Sequence, residues 1–266
     1  MPVPPRLLVP AVIASLALVA ACTSSSATDP GPPSTTTAPS TSASAPSPTT
    51  PRPTSRPPTP SPSPSRKTTA LLPLRASTGS AIQVVTVVAP TTSSTTATLQ
   101  AWSKNASGWH QVGAAVPAHV GSNGLTPTPS EGESATPIGS FTLTQAFGSA
   151  ANPGTKVPYF RTDAGDWWVS DVNSQYYNTH YRCSGSCPFD TGAGENLRDA
   201  GFVYTYAVVI DYNRAPVVRG AGSAFFLHVT NGQATAGCVS IPEASLVSIM
   251  KWLDPKAHPR ILIGTM

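Results

Sequence analysis

Ala224-Phe225-Phe226-Leu227-His228-Val229-Thr230-Asn231-Gly232-Gln233-Ala234-Thr235-Ala236-Gly237-Cys238-Val239-Ser240 is the stretch from which the rest of the chain can be read. Its apolar half predicts a strand over 224–229 that carries a histidine, and a loop of polar and small residues follows. Gly237 and Cys238 then stand just ahead of a helix. Ser240-Ile241-Pro242-Glu243 has the spacing of a capping box, with Ser240 as N-cap, Pro242 in the first turn and Glu243 at the third position. Leu246, Ile249, Met250 and Leu253 continue at helical spacing until Pro255 stops the run.

Each part of this stretch has a chemical use. A thiol ordinarily ionises near pKa 8.5, and a nearby imidazole plus a helix N-terminus shift it toward thiolate. His228 would take the thiol proton and later return one to a leaving amine. Gly237 leaves room for a substrate carbonyl near backbone N–H groups that could hold an oxyanion. The bland alternative is a packed cysteine beside a core helix and a structural histidine at a strand end. Spacing alone leaves both open.

Outward from this segment the chain reads mainly as strands, at Ile82–Ala89, Thr98–Lys104, Trp109–Val112, Gly139–Ala146, Trp167–Ser170, Val203–Asp211 and Arg260–Ile263. A second short helix is expected near Glu195–Ala200. The fold class is therefore mainly β, with one or two short helices.

The N-terminal quarter has a different composition. Residues 1–21 carry Arg6, then an apolar run, then Val19-Ala20-Ala21 before Cys22, which reads as a secretory leader. Its end resembles a bacterial lipobox, in which Cys22 is the lipidated first residue. An uncleaved anchor and ordinary secretion are the alternatives, and all three place the rest outside the cytoplasm. Residues 22–68 are almost wholly Pro, Ser, Thr, Ala and Gly, too polar to offset chain entropy by burial, and read as a disordered tether. Extended at about 3.1 Å per residue, it reaches on the order of 100 Å. The domain proper is 69–266.

The net charge of +4 does not mark a nucleic-acid binder. Arg6, Arg52, Arg56, Arg66 and Lys67, against Asp29 alone, carry the whole excess, so the domain is formally neutral and lacks a basic footprint. Cys183 and Cys187, separated by Ser184-Gly185-Ser186, read as a local disulfide in an oxidising compartment. Metal binding by that pair is the weaker alternative, because no second ligand pair follows; no metal or other cofactor is expected. Cys238 is then the unpaired thiol.

Two ordered motifs carry a resemblance. His228 followed by Thr235-Ala236-Gly237-Cys238 is similar to the signature of the L,D-transpeptidases of the YkuD type, a histidine with a downstream Ser/Thr-x-Gly-Cys. Upstream, Ala135-Thr136-Pro137-Ile138-Gly139-Ser140-Phe141 resembles the family's Thr-Pro-x-Gly-x-Phe segment. Trp168-Val169-Ser170-Asp171 and Tyr177-Asn178 resemble a segment of actinobacterial members. The resemblance covers about Ile82 to Gly264 and implies a β-sandwich or barrel-like catalytic domain.

It further implies penicillin-insensitive cross-linking of peptidoglycan. The cysteine attacks the bond before the terminal D-Ala of a tetrapeptide stem and forms a thioester, and a diamino acid amine of a neighbouring stem resolves it to a 3→3 cross-link. Carried over, Cys238 is the nucleophile, His228 the base, the Val229 carbonyl its orienting partner, and the Gly237 and Cys238 N–H groups the oxyanion donors. Thr235, Tyr177 and Asn178 are candidate substrate contacts, and carbapenems are expected to acylate the thiol.

Two departures stand out: Ser240 occupies a position where many members carry Arg or Asn, and the loop from His228 to Cys238 is short. His110, His119, His180 and His258 read as structural or exposed, the tryptophans as core, and Asp171 as a turn cap or a neighbour of the site. Competing functions are an L,D-carboxypeptidase on the same stems and a non-catalytic wall-binding lipoprotein.

Overall fold

The computed structural model describes residues 71–266. The leader at 1–21, the lipidation site Cys22 and the tether at 22–68 lie outside the described residues.

β-branched and apolar runs pair here as expected. The strands are β1 (Gln83–Ala89), β2 (Thr96–Asn105), β3 (Gly108–His119), β4 (Leu125–Thr126), β5 (Thr136–Pro137), β6 (Gly139–Thr142), β7 (Ala146–Gly148) and β8 (Tyr159–Arg161). They continue with β9 (Asp166–Val169), β10 (His180–Arg182), β11 (Gly194–Asn196), β12 (Ala207–Val209), β13 (Phe226–Val229), β14 (Val239–Ile241) and β15 (Arg260–Thr265). Among the described residues there is one α-helix, α1 (Glu243–Trp252), which precedes the last strand.

Ten strands form one curled mixed sheet in the order β6-β15-β1-β2-β3-β14-β13-β12-β7-β8, and β10-β9-β11 make a smaller one. The domain is therefore mainly β. Apolar residues line both faces of the large sheet. Leu227, Val229, Val239 and Ile241 join the larger core, which also takes Leu246, Ile249 and Met250 of α1. Phe226, Ala207, Val209 and Phe147 face the other way and pack with Trp168, Leu197 and Tyr204.

Three local expectations are corrected. Ser240 is no helix cap: it lies in β14, opposite His228 on one side and His119 on the other. Pairing of 239–241 with 227–229 holds that backbone extended, so α1 starts at Glu243 with Pro242 at its N-cap and no side-chain cap. The buried Ser240 hydroxyl has no hydrogen-bond partner among the described residues. No α-helix forms at Glu195–Ala200, because Gly194–Asn196 pairs with β9 and Asn196 Oδ1 turns the chain by accepting from the N–H groups of Arg198 and Asp199. The Val203–Asp211 strand shrinks to β12, since Gly201–Tyr204 forms a 3-10 turn.

Candidate active site

The chemistry depends on how β13 and β14 lie together. They are parallel, with Leu227 opposite Val239 and His228 opposite Ser240. Parallel neighbours require the chain to return to the starting edge before the second strand begins. The 230–238 loop makes that return, which brings Cys238 beside Phe226, at the start of β13. Side chains alternate along each strand, so Phe226, His228, Cys238 and Ser240 share a face. His228 and Cys238 also line the same cleft, of about 410 Å³, with Glu195, Tyr204, Glu131 and Thr235. Two other hollows, of about 360 and 570 Å³, have no ionisable side chain in their walls.

The imidazole is held in one tautomer. His228 Nδ1 lies 2.8 Å from the Val229 carbonyl, which can only accept, so Nδ1 carries the proton and Nε2 keeps a free lone pair. Burial pushes the His228 pKa down, against the smaller opposing effect of that carbonyl. The ring therefore rests neutral, the form a base requires.

The thiol rests protonated as well. Its S–H points to the Ala224 carbonyl at 3.4 Å, and the Phe226 N–H donates to the sulfur at 3.3 Å. No hydrogen bond joins it to His228. Burial pushes its pKa up to about 12, and the Glu195 charge adds to this; the Phe226 N–H and Tyr204 oppose it. The expectation of a thiolate favoured by a helix N-terminus is thus corrected, since β14 separates Cys238 from α1 and burial dominates.

The loop around the cysteine is built by the two sequence motifs together. Thr235 donates its hydroxyl to the Cys238 carbonyl at 2.6 Å and accepts from the Gly237 N–H at 3.1 Å. Thr136, from the upstream motif, donates to the same carbonyl at 3.3 Å and accepts from the Gly121 N–H at 2.8 Å. Gly237 has φ +129°, and a Cβ there would meet the Phe225 ring at 2.8 Å and the Ala135 carbonyl at 3.1 Å. Glycine is needed for the backbone and for Phe225, rather than for substrate access. Because its N–H is taken by Thr235, Gly237 is not a free oxyanion donor. The Cys238 N–H has no hydrogen-bond partner among the described residues.

Two residues expected at the substrate do not line the cleft. Asn178 is buried and saturated: its Oδ1 accepts from Trp168 Nε1 and the Ala224 N–H, and its amide donates to the Tyr212 and Asn213 carbonyls. Tyr177 is buried too, and its hydroxyl donates to Glu131. Both support the wall from behind. Val229 contributes its carbonyl, while its side chain packs in the opposite core.

Cys183 and Cys187 form a disulfide. His180 pairs with buried Asp166 at 2.8 Å and stacks on Phe160; Asp171 accepts from the Asn173 and Asp190 N–H groups. None of these enters the cleft.

Glu195 and Tyr204 were missed by sequence reasoning. Tyr204 is buried, its ring edge-on to His228 at 5.4 Å, and its hydroxyl donates to Glu195 Oε1 at 2.7 Å. That hydroxyl also lies close enough to Cys238 to influence the thiol's ionisation. Burial raises the Glu195 carboxyl, and the Tyr204 bond partly offsets the shift. Burial and the Glu195 charge hold Tyr204 well above its usual value. A lone acid between Gly194 and Asn196 was the only available signal.

A family model described as the L,D-transpeptidase catalytic domain (YkuD) matches residues 88–263, more than half of the chain. The match takes in both motifs and every wall of the cleft. Comparison with curated proteins and with solved structures gave no match.

Proposed function

Since the chain belongs to the YkuD family of L,D-transpeptidase catalytic domains, we propose that it is a cysteine-dependent L,D-transpeptidase that joins peptidoglycan tetrapeptide stems by 3→3 cross-links. One observation carries the reading: Cys238 and a neutral, tautomer-fixed His228 share a face and a cleft.

The resting thiol implies that nucleophile and base act together instead of waiting as an ion pair. As the stem carbonyl approaches, the thiol proton passes to His228 Nε2 and the sulfur attacks the carbon before the terminal D-Ala. The Cys238 N–H supports the oxyanion. The imidazolium then protonates the leaving amine, D-Ala departs and a thioester remains. A side-chain amine of a second stem attacks that thioester, the C–N bond forms, the C–S bond breaks, and the thiol is restored.

The reading extends to the chain's organisation: a leader over 1–21, lipid on Cys22, a tether over 22–68 and the catalytic domain over 69–266. The anchor would hold the domain on the outer face of the cell membrane, facing the wall. Carbapenems, which acylate family thiols, would acylate Cys238.

The test is incubation with a tetrapeptide-bearing muropeptide and mass spectrometry of the products. Cross-linked dimers with release of D-Ala are expected. Tripeptide monomers alone would indicate a carboxypeptidase. No turnover, with wall affinity retained in Cys238→Ala, would indicate a binding lipoprotein.

A further inference from the structure

The ionisable acids in the wall of the catalytic cleft are Glu131 and Glu195, and no lysine or arginine accompanies them. Their circumstances differ. Each Glu131 oxygen has a partner, Oε2 accepting from Tyr177 and Oε1 from Ser223. Glu195 Oε1 accepts from Tyr204, but Oε2 has no hydrogen-bond partner among the described residues and is not among the sealed, unsatisfied atoms. One carboxylate oxygen therefore opens on the cleft unpaired, and the Tyr204 hydroxyl that binds the other also acts on the nucleophilic sulfur.

A half-buried carboxylate without a cation is costly. It also opposes ionisation of Cys238, so it hinders the first half-reaction. The second half-reaction brings a cation: an aliphatic side-chain amine is protonated at neutral pH, with a reference pKa near 10.4 for lysine, and cannot attack until it loses a proton. The geometry points to Glu195 as the acceptor-side catalytic residue, its Oε2 binding the incoming ammonium and taking a proton from it, while Tyr204 positions the carboxyl. This rests on the transpeptidase reading above.

The protons balance. The acceptor arrives as R–NH3+ and gives one proton to Glu195. The neutral nitrogen then attacks the thioester, and a second proton passes from nitrogen to His228 as the C–S bond breaks. His228 returns that proton to the Cys238 sulfur, and Glu195 releases its own to solvent. The product amide keeps one. The raised Glu195 pKa is in the sense that makes its carboxylate a better base.

Glu195→Gln keeps an acceptor for Tyr204 and removes the charge. In the full-length protein, acyl-enzyme formation from a tetrapeptide stem ending in D-Ala, followed by intact mass, is expected to stay within about threefold of wild type or to quicken. Transfer to a second stem is expected to fall on the order of 10²-fold at pH 7, the usual scale of one acid–base group. That deficit should shrink as pH rises toward the amine pKa. Hydroxylamine, already neutral at pH 7, should resolve the thioester equally fast in both proteins.

Wild-type transfer rates in the variant, or an equal loss with stem and with hydroxylamine, would overturn the role of Glu195 and leave the transpeptidase reading standing. A wild type that forms no acyl-enzyme, or only hydrolyses it, would overturn both.

Discussion

Alkylation of Cys238 by iodoacetamide in the free protein should be slow, and the magnitude follows from where the thiol sits. With the pKa pushed up to about 12 by burial and by Glu195, the thiolate fraction at pH 8 is about 10⁻⁴, against roughly a quarter for an ordinary cysteine, so the rate should be on the order of 10³-fold lower. The assay is a time course at several pH values, with the label located on the Cys238 peptide; Cys183 and Cys187 are paired. The rate should climb about tenfold per pH unit, with no plateau below pH 10. His228→Gln should change it by no more than about threefold, because no hydrogen bond joins the imidazole to the resting sulfur. A plateau with a midpoint below about 8, abolished in His228→Gln, would refute the reasoning and restore a preformed ion pair.

Other outcomes follow from the same contacts. Gly237→Ala combines a positive φ with a Cβ at 2.8 Å from the Phe225 ring; thermal unfolding should show a loss of about 1–3 kcal/mol from backbone strain alone, and acylation should fail. Thr136→Val leaves the Gly121 N–H and the Cys238 carbonyl short of a partner, a cost of about 1–3 kcal/mol by denaturant titration. His228→Gln should slow acylation by a stem peptide about 10²–10⁴-fold with the melting temperature nearly unchanged. The raised carboxyl of Glu195 means that the fold binds this proton more tightly than the unfolded chain does. Its contribution is therefore full below the unfolded value near 4.3 and is lost as pH rises through the folded one. Glu195→Gln should accordingly melt higher than wild type at pH 7 and alike at pH 4.

How far the sequence was legible depends on the range of the interaction that decided each feature. β1, β2 and β13 announced themselves through apolar and β-branched runs, and the Cys238–His228 pair through residue type and the loop between them. Ser240-Ile241-Pro242-Glu243 carries a good local helix-start pattern, but a non-local contact won: β14 must lie along β13 for the sheet to continue to β3. The same competition drew Glu195 and Asn196 into the edge strand β11, because β9 offers them partners, and left 197–200 as a turn. The acid–tyrosine pair beside the sulfur was illegible for a related reason. Glu195 and Tyr204 belong to a strand of the small sheet and a 3-10 turn, and nothing in their spacing says that packing against Phe226 brings them to Cys238. The burial that raises the thiol pKa likewise exists only once that core closes.

The central claim is that Cys238, served by His228, is the acylated residue. Intact-protein mass spectrometry after a carbapenem tests it most directly, run on wild type and on Cys238→Ala. One covalent adduct on wild type, mapped to the Cys238 peptide and absent from the variant, is the result the account predicts. An unmodified wild type, or the same adduct on both proteins, would contradict it.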